Sequence, residues 1–289
     1  MDTSPLQDTS RQKTMAHRGF PSKHPDRPTE KAEPMPAEVR QFLCASDNFG
    51  VLVHDTATGA TASIDACEDG PIVAALERAG WTLTHILVTH HHDDHVAGIP
   101  ALTARYKPVV IGPAADAGRI PEMAQGVREG DTVRVGSLVA NVIETPGHTK
   151  GHVSFHFPAD RLLFAGDTLF ALGCGRLLGG TAADMWSSLG KLAALPDDTA
   201  VYCGHEYTLS NARFAVGVDP DNDRLRARAA EVEDLRGRGE FTLPTTIGLE
   251  KTTNPFLRAA DPAMAHRLGL DGRPPVEVFA ELRERKNRG

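Results

Sequence analysis

A chain of 289 residues with 40% hydrophobic and 24% charged side chains has ordinary globular composition, long enough for one large domain or two smaller ones with a sizeable core. Its net charge of −7 argues against a general polyanion binder, because neutralising phosphates needs surplus Lys and Arg, so nucleic acid is not an expected partner. No run of about 18 apolar residues occurs, so no transmembrane helix and no membrane partner are expected.

Residues 1–35 carry five prolines, mixed charges and few large apolar side chains, which predicts a disordered extension that cannot offset its ordering entropy. The stretch lacks the apolar segment of a secretory signal, and its five acidic residues speak against a transit peptide. Met15 and Met35 are candidate alternative starts, and folded sequence is expected from about Pro36. Strand-like runs then recur: "QFLCAS" (41–46), "GVLVHD" (50–55), "TASID" (61–65), "HILVT" (85–89), "VVIG" (109–112), "VANVIET" (139–145), "HVSFHF" (152–157), "RLLFAG" (161–166) and "AVYCG" (200–204). Helical patterns are interposed. "PIVAALERAG" (71–80) opens on proline and closes on glycine, "HVAGIPALTARY" (95–106) follows the fourth strand, and "TAADMWSSLGKLAAL" (181–195) begins with a threonine cap. After residue 205 strands are expected to stop, and "YTLSNARFAVGV" (207–218), "NDRLRARAAEVEDLRGRG" (222–239) and "PPVEVFAELRERKNRG" (274–289) predict a helical region closing the chain. Sheets packed between helices are the expected architecture. The four cysteines, Cys44, Cys67, Cys174 and Cys203, lie far apart without a CxxC pair, suggesting no disulfide framework or zinc knuckle and pointing to a reducing cytoplasm.

Between the fourth strand and its helix lies "LVTHHHDDHVAG" (87–98), with six consecutive histidines and aspartates, His90 to His95. In extended chain, residues two apart point the same way, so His90 and His92 address one cation while His91 points elsewhere. Asp94 and His95, entering the helix, can turn back toward a nearby point. Imidazole and carboxylate are ligands for Zn²⁺, Fe or Mn at roughly 2.0–2.2 Å, and ligands split between two directions suggest two metals. Later strand ends supply more: His148 in "ETPGHTKGH", Asp167 in "LLFAGDTLF" and His205 in "VYCGHEYT", each with glycine beside it where backbone can approach closely. Asp93 is expected to cap the following helix. His54, His85, His152, His156 and His266 are expected to be structural or surface, and Cys174 and Cys203 to be packing thiols.

The pattern His90-x-His92-x-Asp94-His95, followed by His148, Asp167 and His205, resembles the signature of the metallo-β-lactamase fold, with Asp65 matching its first, structural aspartate, although an aspartate ending a strand is usually a turn former. "GDTLFALGCGR" (166–176), "VYCGHEYTLSNARFA" (201–215), "NPFLR" (254–258) and "LRERK" (282–286) closely resemble hydroxyacylglutathione hydrolase, the glyoxalase II family. The resemblance covers residues 37–289. It implies an α+β fold, a metallo-β-lactamase-like αββα sandwich over 36–204 followed by a helical substrate-binding domain over 205–289. It implies His90, His92 and His148 on one metal and Asp94, His95 and His205 on the other, with Asp167 and a water-derived hydroxide bridging both. Zinc is the expected metal, with iron and manganese as alternatives.

The implied activity is hydrolysis of S-D-lactoylglutathione to D-lactate and glutathione, the step that completes methylglyoxal detoxification. Two cations about 3.5–4 Å apart bring a bound water's pKa toward about 7, so hydroxide is available to attack the thioester, with Asp94 orienting it and relaying its proton to sulfur. Arg283 and Lys286, three apart on the last helix, are assigned by the resemblance to a glutathione carboxylate, with Tyr207, Asn211 and Arg176 as further contacts. Arg176 stands where the family usually has lysine. Leu178 stands where it often has tyrosine, so one hydrogen bond to the peptide is expected to be missing. A cytoplasmic monomer is expected. The rival readings are a persulfide dioxygenase, which resembles this fold but uses one iron and lacks the helical tail, another glutathione-thioester hydrolase, a nucleic-acid-processing member of the fold, and a non-enzymatic metal scaffold.

Overall fold

The computed structural model describes residues 37–289; the expectations for residues 1–35 and for starts at Met15 and Met35 lie outside them. The first sheet runs in spatial order β1 (Ala37–Cys44), β2 (Asn48–Asp55), β3 (Thr61–Ile64), β4 (His85–Leu87), β5 (Val109–Pro113) and β6 (Gln125–Val127). Its first three strands are antiparallel and the rest parallel. The connections carry α1 (Asp69–Ala79), α2 (Asp93–Val96) and α3 (Ile99–Tyr106). The chain continues through β7 (Thr132–Val135), β8 (Leu138–Glu144), β9 (Val153–Phe157) and β10 (Leu162–Phe164), then a small hairpin, β11 (Leu169–Phe170) and β12 (Gly173–Cys174). Next come α4 (Ala182–Ala193) and β13 (Ala200–Tyr202). The remainder is α5 (Thr208–Val218), α6 (Asp223–Gly237), β14 (Thr245–Thr246), α7 (Ile247–Thr253), α8 (Pro262–Leu268) and α9 (Pro275–Arg288). The second sheet has the order β14-β13-β10-β9-β8-β7.

Three apolar clusters explain why the strands read as near-continuous hydrophobic runs. Val51, Val53, Ile64 and Leu87 from the first sheet meet Val142, Phe155, Phe157 and Phe164 from the second. The alternate residues Leu52, Ile86, Val88 and Val110 face outward and are covered by Ile72 and Leu76 of α1 and by Ile99 and Leu102 of α3. On the far side Leu163 and Val201 pack under Met185 and Leu189 of α4, Ile247 of α7, Met264 of α8 and Phe279 of α9. The result is the αββα arrangement. Truncating a fully buried Leu52 to Ala in such a core costs about 2–5 kcal/mol. Helix ends follow the local signals: α1 stops at Gly80 in the left-handed region (φ 70°), and Thr181 with Asp184 forms a capping box on α4.

Several expectations need correction. The strands do not stop at residue 205, because β14 pairs with β13; its two residues are too short for a period to register. The helical region also contains α7 and α8, two short helices of seven residues each beyond the three expected. The expected helix over 95–106 is two, broken at Ala97 and Gly98. Asp93 is the first residue of α2; the cap position belongs to His92 and no side-chain cap bond forms. Cys44 and Cys67 are paired as a disulfide, against the expectation from their spacing, because the antiparallel return of the chain sets the end of β1 beside the residues that follow β3, with Cα atoms 6.4 Å apart.

Candidate metal centre

Parallel neighbours end on the same edge of a sheet. In the first sheet β3 and β4 run parallel, so Asp65 beyond β3 and the segment beyond β4 emerge side by side. In the second sheet β10 and β13 run parallel, delivering Asp167 and His205. The β8–β9 connection adds His148. Every candidate ligand from the sequence is therefore brought to one place, as the sets His90–His92–His148, His90–His95–Asp167 and Asp94–His95–His205, each with its ligand atoms within 4.8 Å of one another.

The hydrogen bonds fix which atoms face inward. Thr89 Oγ1 donates to Asp65 Oδ2 (2.9 Å) and lies 3.1 Å from His90 Nδ1, so that nitrogen carries the proton. His148 Nδ1 donates to the Arg176 carbonyl at 2.8 Å. The remaining atoms, His90 Nε2 and His148 Nε2, both approach His92 Nδ1, at 3.1 and 3.0 Å. Three ring nitrogens converge, an arrangement that a shared cation satisfies. In the other half His95 Nδ1 donates to Asp65 (2.8 Å) and His205 Nδ1 to Asp47 (3.1 Å), leaving their Nε2 atoms toward the carboxylates. His95 Nε2 is 3.6 Å from Asp94 and from Asp167 Oδ1, and His205 Nε2 is 3.4 Å from Asp94 and from Asp167 Oδ2. Asp167 Oδ2 also lies 3.3 Å from His148 Nε2, so this carboxylate spans the two halves. His95 Nε2 and Asp167 Oδ1 are buried without a hydrogen-bond partner, which is the condition of ligand atoms. The residues present thus fit a pair of divalent cations.

Charge divides the same way. Burial, then the crowd of neighbouring imidazoles, holds His90 well below its ordinary value, and burial lowers His92 and His148, so three neutral ligands are available near pH 7. Burial opposes protonation of His205, but hydrogen bonds to Asp167 and Asp94 win and push it up to about 10. His95 rises likewise: burial opposes, and Asp167 and Asp65 prevail. The His205 hydrogen bond holds Asp94 below the carboxylate range, and His95 and His205 hold Asp167 there against burial.

Glycine makes the room. A Cβ on Gly204 would strike Asp167 Oδ1 and sit 2.8 Å from His95 Cε1. Gly166 lies at φ 49°, and a Cβ there would sit 2.7 Å from both His152 Nε2 and Thr89 Oγ1. Asp65 is more than a turn former: buried, with φ 55°, it takes the Thr89 N–H (2.7 Å) and hydroxyl as well as His95. His91 turns away to Asp116 (2.7 Å). His152, treated as structural, accepts the Asp167 N–H at 3.0 Å and so sets the spanning carboxylate; its lone-histidine context in the sequence carried no signal for that task.

A cavity of about 660 Å³ opens over the ligands and reaches every expected substrate contact: Arg176, Tyr207, Asn211, Arg283 and Lys286, with Leu178 at 57% exposure on its wall. Tyr207 stacks on His205 (4.7 Å, 3°), and its phenol is pushed up to about 12 by burial and then by Asp47, Asp167 and Asp94, leaving a donor. Asn211 spends one N–H on the Ala171 carbonyl (3.1 Å), bracing the β11–β12 hairpin. Arg283 is 5% exposed, donates to the Cys174 carbonyl (2.8 Å) and Asn287 (3.1 Å), and lies over the Phe256 ring. Lys286 donates to the Ser210 carbonyl and hydroxyl, both at 2.9 Å, and its ammonium is lowered by burial and by Arg283. Among the described residues neither cation has a carboxylate partner. Sequence reasoning missed Phe170, Ser210 and Asn287 on this wall; Ser210, three residues after Tyr207, and Asn287, four after Arg283, had a helical-spacing signal.

The metallo-beta-lactamase superfamily model matches residues 47–205 and the hydroxyacylglutathione hydrolase C-terminus model matches 206–289. The chain is 60% identical over 252 residues to hydroxyacylglutathione hydrolase of Rhizobium johnstonii (87% of this chain, 98% of that one) and 57% identical over 254 residues to that of Rhodopseudomonas palustris strain BisA53 (88% and 100%). Among solved structures it is similar to ETHE1 from Myxococcus xanthus (29% identity, TM-score 0.63, 86% and 91% covered) and to a protein solved in a di-iron-bound form (27%, TM-score 0.55, 74% and 98%).

Proposed function

This chain belongs to the hydroxyacylglutathione hydrolase family, and from that premise we propose that it cleaves S-D-lactoylglutathione to D-lactate and glutathione at the centre described above. Glutathione-thioester hydrolysis is the family's activity. The finer assignment rests on one observation: five of the candidate ligand side chains, His92, Asp94, His148, Asp167 and His205, line a cavity whose wall also carries Arg283 and Lys286, two cations with no carboxylate partner among the described residues. A substrate with a carboxylate at one end and a thioester at the other suits both.

His90, His92 and His148 would hold one divalent cation, and Asp94, His95 and His205 the other, with Asp167 shared; zinc is proposed, iron or manganese having the same ligand chemistry. Two such cations, when bound, lower the pKa of water from near 16 toward about 7 and polarise a carbonyl oxygen. The protein's own part follows. Asp94, the exposed carboxylate of the set, is placed to take a proton from the attacking water and return it to the departing sulfur as the carbon–sulfur bond breaks. Arg283 and Lys286 hold a glutathione carboxylate, and the Tyr207 hydroxyl, Asn211 and Arg176 offer donors along the peptide. Leu178 offers none. Residues 36–204 are the metal-carrying domain in this reading and 205–289 the substrate-binding domain. The Cys44–Cys67 pairing removes the cysteine argument for a reducing compartment, and the inference of a monomer in the cytoplasm rests on the glutathione substrate alone. Among the described residues no helix is long and apolar enough to cross a membrane.

The test is release of glutathione from S-D-lactoylglutathione by purified protein, with and without chelator, beside elemental analysis. Chelator-sensitive cleavage with two metals per chain is expected. Metal-replete protein inert toward glutathione thioesters refutes the substrate, and one iron per chain with oxygen consumption favours a dioxygenase.

A further inference from the structure

We propose that Asp47 and Asn48, at the turn between β1 and β2, are positioning residues for the second ligand triad, Asp47 orienting His205 and Asn48 orienting Asp94. The inference rests on the two-cation reading above.

The turn is strand-paired onto the ligand it serves. Phe49 N–H donates to the Gly204 carbonyl (2.8 Å), Glu206 N–H donates to the Asp47 carbonyl (2.9 Å), and Asn48 and His205 face each other as an isolated antiparallel bridge. That pairing carries two side chains to the metal-facing residues. A carboxylate only accepts, so Asp47 Oδ1, 3.1 Å from His205 Nδ1, holds a proton on Nδ1 and turns the Nε2 edge of the ring toward Asp94 and Asp167. Asn48 is 5% exposed, and its amide donates to Asp94 Oδ2 (3.0 Å) and to the Asp94 carbonyl (3.3 Å).

Asp94 has particular need of this support. Its side chain is 48% exposed, compared with 7% for Asp167, and it sits in the first turn of the four-residue helix α2, so packing does little to choose its rotamer. The first triad is held by other means, His90 through Thr89 and His148 through the Arg176 carbonyl. Loss of the turn's side chains therefore reaches one cation and spares the other. Groups of this kind behind a ligand change metal affinity by about 10–100-fold.

The experiment is a Zn²⁺ titration of the purified full chain against a competing chelator, with elemental analysis and thermal unfolding, on the wild type, Asp47→Ala, Asp47→Asn, Asn48→Ala and Asn48→Asp. The two alanine variants should hold the first zinc at wild-type affinity and the second about 10–100-fold more weakly. Asp47→Asn keeps an oxygen acceptor for the Nδ1 proton and should restore the second site. Asn48→Asp sets a carboxylate against Asp94 and should be at least as weak as Asn48→Ala. Alanine variants that bind both zincs as the wild type does, or lose both equally, overturn the proposal, as does Asp47→Asn no better than Asp47→Ala. If the alanine variants unfold, the two near-isosteric variants decide: a second site retained in Asp47→Asn and weakened in Asn48→Asp supports it, and any other pattern overturns it. A wild type that binds one zinc sinks the two-cation reading itself, a distinguishable result.

Discussion

Lys286→Ala should raise KM for a glutathione thioester by about 5–30-fold and leave kcat within twofold. A charge-assisted hydrogen bond to a carboxylate is worth about 1.5–3 kcal/mol. In the free protein the ammonium already donates to the Ser210 carbonyl and hydroxyl, so the substrate replaces existing bonds rather than adding to none. The net gain is then about 1–2 kcal/mol, which at 1.4 kcal/mol per tenfold gives the stated range. The cost to folding is small, because Lys286 is partly exposed and the hydroxyl it leaves can turn to water. Since the side chain grips the substrate equally before and during the reaction, the effect belongs in KM. Initial rates against substrate concentration at two ionic strengths provide the assay, and the wild-type KM should rise with salt more steeply than the variant's. An unchanged KM, or a fall in kcat with KM constant, refutes the carboxylate grip.

Asp94→Ala should lower kcat by about 10²–10⁴-fold and reduce metal content toward one per chain by elemental analysis; full activity with two metals would remove Asp94 from both roles. Leu178→Tyr should lower KM several-fold, about 1 kcal/mol for one added hydrogen bond, and no change in KM would place that wall outside the peptide's reach. Asp55 is buried and takes donors from Ala57 (2.9 Å), Thr58 (2.5 Å) and Ser137 N–H and hydroxyl (2.6 and 2.8 Å), which against burial lower it to about 2. A folded value below the unfolded one means stability present above about pH 4 and lost as pH falls toward 2. Urea midpoints of wild type and Asp55→Asn should therefore converge across that window, and parallel curves would deny Asp55 the role. Chelation should lower the thermal midpoint, since cations that bind only the folded chain stabilise it.

The candidate ligand set was legible because each member announces itself locally. His90 to His95 is a run that no strand or surface helix needs, and His148, Asp167 and His205 each follow an apolar strand and sit beside a glycine. The cations of α9 were legible only through family resemblance, since an Arg and a Lys three apart on a charged helix look like a solvated face. Their burial at the cavity wall depends on Phe256 and Phe214, which lie over them. The hairpin β11–β12 and the strand β14 were illegible, because two residues carry no period and their pairing partners decide them.

The sequence by itself determined the chemistry available: which strands are buried on both faces, where the imidazoles and carboxylates stand, and that they suffice for two cations. Tertiary structure alone decided orientation. Asp47 reaches His205 across 158 positions, Asp65 reaches His95 across 30, and Cys44 meets Cys67 because β1 and β3 flank β2. A residue's type is a local fact. The direction of its lone pair depends on a partner that chain topology delivers from far away, and that partner is recorded in no neighbouring residue.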